Sequence, residues 1–204
     1  MIDQVENCNS DEGTETVLDG QLWIGYDLNK LWLKTEVEQF EGETEKSEVQ
    51  ALYSRAIATY WDLQTGLRRD SYAGSELERN WFVLGFEALA PYFFEMDASL
   101  FIGENGRSAA GLEAEYELMF TQRLVLSPEV EINLSGKEES KLGIGTGVTD
   151  VEAGLRLRYK FWREFAPYIG VNWTKKYGQT ADYAKASGEN IEATQYVVDV
   201  RFWF

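Results

Sequence analysis

The stretch Leu112-Glu113-Ala114-Glu115-Tyr116-Glu117-Leu118 decides the fold, because apolar and acidic side chains alternate along it without a break. A helix would spread these glutamates over all its faces, whereas a strand places them in one row on one face. Alternation of this kind predicts a β-strand with one apolar side and one acidic side. The sequence therefore indicates a sheet whose two sides meet different surroundings.

The same alternation continues along most of the chain. Clear examples are residues 124–134, 151–159 and 194–204. We expect about twelve strands in all, bounded by polar turns. They are predicted to begin near Met1, Val17, Lys30, Ser47, Asp62, Asn80, Phe93, Ala109, Leu124, Thr149, Phe165 and Ile191.

The composition excludes several classes of protein. The 204 residues carry a net charge of −16, which disfavours binding to nucleic acid. The chain has no histidine, which removes histidine-based catalysis and histidine metal ligands, and its single cysteine, Cys8, allows no internal disulfide and no thiolate zinc site. No apolar run reaches the roughly 18 residues of a membrane-spanning helix. We expect one domain over residues 1–204.

The connections between the predicted strands alternate in length. Tight turns are expected at 27–29, 59–61, 90–92, 121–123 and 161–164, and longer polar loops at 9–16, 41–46, 71–79, 104–108, 136–148 and 177–190. An even number of strands with short turns at one end and long loops at the other is typical of outer-membrane barrels. We therefore predict an all-β, transmembrane, antiparallel up-and-down β-barrel with short periplasmic turns and longer extracellular loops.

Aromatic residues gather at the two ends of the predicted strands, as they do where a membrane meets water. Those at the short-turn end are Tyr26, Tyr60, Trp61, Tyr92, Phe93, Phe120, Phe161, Trp162, Phe165 and Phe204, and those at the other end are Phe40, Phe82, Trp173 and Tyr177. A soluble barrel or sandwich with its acidic face in water is the alternative, and it also explains the alternation and the charge. It does not explain the aromatic belts.

Three residues fit the predicted strands poorly. Arg55 shares the lipid-facing side with Val49 and Ile57, so we expect that it reaches the nearby short-turn rim or that a β-bulge shifts the alternation there. Pro128 and Pro167 lie inside strands although proline lacks the N–H that a sheet requires. We expect local β-bulges at both prolines.

Acidic side chains concentrate on the inward side of the predicted barrel. The hairpins are expected to set Asp97 beside Glu115, Glu95 beside Glu117, Glu115 beside Glu129 and Glu113 beside Glu131. Asp97, Glu115 and Glu129 are predicted to form the central row. The predicted counter-charges are Arg68, Arg156, Arg158 and Arg201.

Like charges on neighbouring strands repel, so this cluster needs compensation. Arginines and water can neutralise it in a hydrated plug, some carboxylates can keep their protons, or cations can occupy a pathway through the lumen. Carboxylate oxygens suit hard cations and select poorly for Cu(I), and Met96 and Met119 provide no convincing soft-metal site. The binding residues for any metal are therefore left open.

Enzymatic signals are weak. Clustered carboxylates alone do not specify the paired geometry of a glycosidase. The run Gly143-Ile144-Gly145-Thr146-Gly147 looks like part of a phosphate-binding loop, but no helix is expected to follow it, so we interpret it as a flexible external loop. We expect no catalytic residues and no tightly bound cofactor, and we interpret Cys8 as an exposed, unremarkable thiol.

Several blocks of the sequence resemble the copper resistance protein B family. They include Leu89-Ala90-Pro91-Tyr92-Phe93-Phe94-Glu95, Arg163-Glu164-Phe165-Ala166-Pro167-Tyr168, Arg201-Phe202-Trp203-Phe204 and the segments 29–36, 48–55, 61–64, 112–118 and 152–159. The resemblance runs in order from about Asp19 to Phe204. It implies a bacterial outer-membrane barrel of a copper-resistance system, surrounded by outer-membrane lipid and working beside a periplasmic multicopper oxidase.

The resemblance also implies a Met- and His-rich segment ahead of the barrel that gathers copper. No secretory signal is present at the start of the sequence, so we expect these 204 residues to be the barrel without that leader. Two hypotheses follow. The barrel passes or sequesters copper ions through its acidic lumen, or it is a closed structural or docking barrel whose copper binding resides in the absent segment and the periplasmic partners.

Overall fold

A computed structural model describes residues 2–10, 13–40, 43–72, 78–90, 94–162 and 165–202 of the chain. Within them, one antiparallel sheet contains the strands β1 (Ile2–Ser10), β2 (Gly13–Tyr26), β3 (Asn29–Phe40), β4 (Glu43–Ala58), β5 (Trp61–Tyr72), β6 (Glu78–Ala90), β7 (Phe94–Gly103), β8 (Ser108–Tyr116), β9 (Leu118–Met119), β10 (Leu124–Ser135), β11 (Gly147–Tyr159), β12 (Phe165–Lys176) and β13 (Glu192–Phe202). Short 3₁₀ turns lie at Glu104–Gly106 and Ser140–Leu142, and the helix α1 spans Gly178–Ser187.

Pairing between sequence neighbours closes the sheet into a barrel. Each strand pairs with the next along the chain, except that β8 and β9 both pair with β10, and β13 pairs back onto β1, with Cys8 opposite Val197. The short strand β9 continues β8 after an interruption at Glu117, because both pair with β10 in one register. The described residues therefore make twelve passes, as the alternation predicted.

The barrel is apolar outside and polar inside. Outward-facing side chains such as Leu22, Ile24 and Leu67 are between 62% and 74% exposed. Buried side chains include Glu48, Asp70 and Arg158, which a water-soluble core would exclude. This inversion matches a wall with hydrocarbon outside and a charged lumen inside, and it rules out the soluble alternative. The chain is a transmembrane β-barrel.

Aromatic side chains mark the two rims of the wall. Tyr26, Phe120 and Trp162 are exposed at the short-turn end, and Trp173 and Tyr177 are exposed at the opposite end. Tyr92, Phe93 and Phe204, together with the side chains of Phe40 and Phe165, lie outside what the structure describes. The predicted belts are confirmed for the described residues.

Two of the predicted long loops are wrong. β1 reaches Ser10 and β2 begins at Gly13, and β3 reaches Phe40 while β4 begins at Glu43. The polar residues that indicated loops at 9–16 and 41–46 therefore lie largely within paired strands. Paired strands can continue beyond the hydrocarbon layer, where polar side chains cost nothing.

The loop predicted at 177–190 contains the unexpected helix α1. Its buried residues are Ala181 and Ala184, and it ends at Gly188, whose left-handed conformation (φ 83°) terminates the helix. None of the helices in the described part of the chain is long and apolar enough to cross a membrane.

The bulges predicted at the two prolines are also wrong. Pro128 pairs with Leu155, and Pro167 pairs with Val200, each in an unshifted register. On the opposite side, Pro128 faces the interruption between β8 and β9, so its missing N–H coincides with a break in the ladder. Pro167 lies one residue before the first pair between β11 and β12, which is Arg158 with Tyr168.

Arg55 faces outward, as its position in the alternation predicted. It pairs with Asn29 at the start of β3, close to the short-turn rim, and a shift in register follows between Ala56 and Ala58. This position lets a long cationic side chain reach the water boundary.

Candidate functional site

A continuous row of acidic residues crosses six neighbouring passes of the lumen wall. Adjacent members are directly opposite one another in the sheet. In order around the barrel the row contains Asp62, Glu87, Asp97, Glu113, Glu131 and Glu152. We call Asp97, Glu113, Glu131 and Glu152 the upper row.

A second row lies one step closer to the short-turn end and contains Glu95, Glu115 and Glu129. We call it the lower row. The predicted pairs Glu115 with Glu129 and Glu113 with Glu131 are confirmed. The predicted central row is divided, because Asp97 belongs to the upper row while Glu115 and Glu129 belong to the lower one.

The predicted partners of Asp97 and Glu95 are wrong by two residues. Asp97 is opposite Glu113, and Glu95 is opposite Glu115. The register of this hairpin is set by its tip, where Asn105 has a left-handed backbone (φ 59°) inside the 3₁₀ turn. A turn centred one residue earlier than expected shifts every opposite residue by two.

Arginines contact Glu115 and Glu129 of the lower row and the neighbouring Glu117. Arg156 donates a hydrogen bond to Glu129. Arg158, which is buried, donates from Nη2 to Glu117 Oε1 at 2.7 Å and to Ser127 Oγ at 3.1 Å, and it lies 3.8 Å from Glu115 Oε1. These predicted counter-charges are in place. The side chain of Arg201 lies outside what the structure describes.

The upper row has neutral partners instead. Ser99 donates to Asp97 at 2.7 Å, Asn133 donates to Glu131 at 2.8 Å, and Thr174 donates to Glu152 at 3.2 Å. Across the described ranges, none of the four upper-row carboxylates forms an ion pair with lysine or arginine. Within the described residues, three of the four upper-row carboxylates are therefore held by hydrogen bonds from neutral groups rather than by cations.

Arg68 serves a different set of acids from the one predicted. Its guanidinium contacts Glu48 at 2.6 Å and Asp70 at 2.7 Å, and it lies over the ring of Phe101 at 4.8 Å. Arg79 joins this network through Asp70 at 3.3 Å. Arg68 is a lumen counter-charge, but its partners belong to β4 and β5.

A cavity of about 520 Å³ lies beside the upper row. Asp97, Glu113 and Glu131 line it on one side, with Asp150 nearby. Lys46, Arg68 and Arg79 line it on the other side. The lumen thus has an acidic wall on β7 to β11 facing a wall of paired cations.

The described acidic residues do not converge into a chelating metal centre. Within the part of the chain that the structure describes, no group of three or more Cys, Asp or Glu residues is arranged to hold a metal ion. Sequence reasoning missed Glu87 and Glu152 as members of the row. The signal was available, since Glu152 shares the inward side of its strand with Arg156 and Arg158.

A family model described as "Copper resistance protein B precursor (CopB)" matches residues 1–204. The chain belongs to the copper resistance protein B family. Copper resistance protein B of Escherichia coli is 41% identical over 204 residues, which are 100% of this chain and 68% of that protein. The copper resistance protein B homolog of Pseudomonas syringae pv. tomato is 40% identical over 204 residues, which are 100% of this chain and 69% of that protein.

Two solved porins share the fold of this copper resistance protein B family member. The KdgM porin superposes with a TM-score of 0.63 at 17% identity and covers 100% of this chain and 98% of its own. The NanC porin superposes with a TM-score of 0.66 at 11% identity and covers 100% of both chains. At such low identity the likeness concerns the barrel architecture alone.

Proposed function

We propose that this chain is the outer-membrane barrel of a bacterial copper-resistance system, and that copper ions pass through its acidic lumen or are held there. Membership of the copper resistance protein B family supports the link to copper. The observation that carries the proposal is the upper row, which has no ion pair with lysine or arginine in the described ranges and lies beside the lumen cavity. The role is transport or sequestration, without catalysis and without a tightly bound cofactor.

The upper row favours cations for an electrostatic reason. Carboxylates on adjacent strands are about 5 Å apart, so their potentials add within the lumen. The low-dielectric wall concentrates this field and raises the local concentration of cations. Rings of acidic side chains select cations in pores by the same means.

The chemistry of the row suits transient rather than tight binding of copper. Oxygen ligands without sulfur or imidazole hold copper less selectively than soft or nitrogen ligands do. We infer that copper stays partly hydrated in the lumen and that selection for copper occurs elsewhere in the system. The partners we propose are outer-membrane lipid, copper ions and a periplasmic multicopper oxidase, and we propose no nucleic-acid partner.

Conductance of the purified barrel in planar bilayers tests the pathway. In a salt gradient, the reversal potential of the natural chain should indicate preference for cations. Glu113→Gln should lower the cation-to-anion permeability ratio by about fivefold, since a charge at contact distance in water is worth about 1 kcal/mol. A preference unchanged in Glu113→Gln would contradict the role of the upper row.

Glu192→Gln is the matched control, because Glu192 is exposed and its carboxylate is bonded to Lys175. It removes the same charge away from the cavity and should leave the ratio unchanged. In a host that depends on this protein, the combined change Asp97→Asn, Glu113→Gln and Glu131→Gln should lower copper tolerance at equal barrel abundance. Equal tolerance would assign the row a purely structural role.

A closed docking barrel is the second candidate, and the ion pairs of the lower row favour it. Arg156 pairs with Glu129 on the adjacent strand β10, and Arg158 reaches past β10 to Glu117 and Glu115, so two guanidinium groups and their acids lie inside the lumen at that level. In this alternative, copper binding resides in a segment ahead of the barrel and in periplasmic partners. Absence of ion currents from correctly folded barrels would favour this candidate over the pathway.

A further inference from the structure

The connection between β10 and β11 folds over the long-loop mouth of the barrel together with α1. Ile144 from this connection and Thr180 from α1 line the cavity alongside Glu113 and Glu131 from the wall. Both segments therefore cover the cavity from above. We call residues 136–146 together with α1 the lid.

Hydrogen bonds join the two halves of the lid. The buried Gly145 donates its N–H to Thr180 Oγ1 at 2.9 Å, and Thr146 donates its N–H to Gln179 Oε1 at 3.2 Å. Tyr183 donates its hydroxyl to Glu138. The segment 143–147, which we interpreted as a flexible external loop, thus packs against a helix.

One acidic side chain on the lid reaches wall residues beyond the strand next to it. Glu139 Oε1 lies 3.4 Å from Arg79 Nη1 on β6, and Glu139 Oε2 lies 3.6 Å from Arg107 Nη1 just before β8. β7 and β8 separate β6 from β10, where the lid begins. The contact with Arg79 therefore ties the lid to a strand three passes away around the mouth of the barrel.

The wall side of this contact is rigidly built. The Arg79 side chain is 8% exposed, bonds Asp70 at 3.3 Å and stacks near the rings of Tyr72 at 4.9 Å and Trp81 at 5.2 Å. Arg107 lies 5.9 Å from the ring of Trp81. Two guanidinium groups held in place by the wall thus present a fixed receptor for one carboxylate of the lid.

We propose that Glu139 is the latch that holds the lid closed over the cavity, so that losing its contacts with Arg79 and Arg107 opens the mouth to the outside. In the described residues, one other side chain of the loop 136–146 bonds the neighbouring turn: Lys137 Nζ donates to the backbone oxygen of Asn105 at 2.8 Å. The effect of the latch on ion flow rests on the pathway proposed above, whereas the position of the lid does not.

The experiment compares Glu139→Ala with Glu138→Ala. Both changes remove one carboxylate from neighbouring positions, but Glu138 bonds Tyr183 within the lid and not the wall. Nitroxide labels at Lys141→Cys on the lid and Glu104→Cys on the rim, both exposed positions, report the distance between lid and wall in a Cys8→Ser background. Heat-modified migration on gels verifies that each variant is folded.

In Glu139→Ala, the distance distribution should gain a longer, broader component, and the open population should rise about tenfold, as expected for losing one charge-assisted hydrogen bond and one further ion pair. Glu138→Ala should retain the distribution of the parent. An unchanged distribution in folded Glu139→Ala would overturn the latch, and so would an equal change in both variants.

Conductance then separates the latch from the pathway. If the lid opens and currents increase in Glu139→Ala alone, both proposals are supported. If the lid opens and the barrel stays silent, the latch is supported and the pathway proposed above fails, since the lid then closes a blind cavity.

Discussion

Arg158 provides the sharpest test of how the lumen is held together. Its guanidinium is buried and serves Glu117, Glu115 and Ser127 at once. Arg158→Met keeps much of the volume but leaves two carboxylates without their cation. Removing one partner of a buried pair typically costs about 3–5 kcal/mol, and because both glutamates retain some contact with water we expect a value near 3 kcal/mol.

Arg69→Met is the matched control. Arg69 also bonds a glutamate, Glu78, but the two side chains are 56% and 53% exposed. Solvent and salt screen an exposed ion pair, so this change should leave the free energy of unfolding nearly unaltered. The two Arg→Met changes should therefore lower the free energy of unfolding by different amounts, because Arg158 is buried and Arg69 is exposed.

The assay is urea unfolding of the barrel in lipid vesicles, followed by tryptophan fluorescence. Adding Glu117→Gln to Arg158→Met should recover part of the loss, about 1 kcal/mol or more, because it removes one stranded charge. If Arg158→Met and Arg69→Met differ by less than about 0.5 kcal/mol, the lumen is too well hydrated for its ion pairs to matter, and our reasoning about compensation fails.

Three further predictions concern the wall and the lid. Leu67→Arg places a charge on the outward face of β5, and it should lower the free energy of unfolding in lipid by about 2–4 kcal/mol; no loss would contradict contact between Leu67 and hydrocarbon. Gly66→Ala on the inward face should destabilise the barrel by about 1–3 kcal/mol, since its Cβ would lie 2.0 Å from the backbone oxygen of Ala51; melting unchanged from the parent would refute this clash. The bond to Glu138 raises the pKa of the Tyr183 phenol above its ordinary value, so the stabilising bond should persist at neutral pH and be lost as the pH rises through that raised pKa. The difference in phenolate absorbance between the parent and Tyr183→Phe measures this pKa, which should fall in Glu138→Gln.

The face of the barrel wall on which each side chain lies could be predicted, because successive side chains of a strand must point to opposite faces. Once Leu67 faces lipid, Arg68 faces the lumen, and the burial of the two side chains agrees. The pairing of Glu115 with Glu129 also followed from the sequence, because a tight turn at 121–123 sets that register. The barrel and its two rims were therefore within reach of pattern reasoning.

The remaining features depend on contacts between distant segments. The register of β7 against β8 depends on the conformation of Asn105, which alternation does not encode. α1 has only Ala181 and Ala184 as buried residues, too few for a periodic signal, and it is stabilised by packing near β11. The role of Glu139 becomes visible only when its loop is folded across the mouth onto Arg79 and Arg107.

The interruption of the eighth pass at Glu117 affects where strands of the barrel separate transiently. At this point Pro128 has no N–H to donate to the neighbouring strand. The side chains of Glu117, Arg158 and Ser127 form hydrogen bonds across the gap instead. Salt and neutral substitutions weaken a strand contact held by side-chain ion pairs, whereas they leave a contact held by backbone hydrogen bonds unchanged. Amide hydrogen exchange between strands should therefore be fastest where β8 and β9 meet β10, and the barrel should open there first.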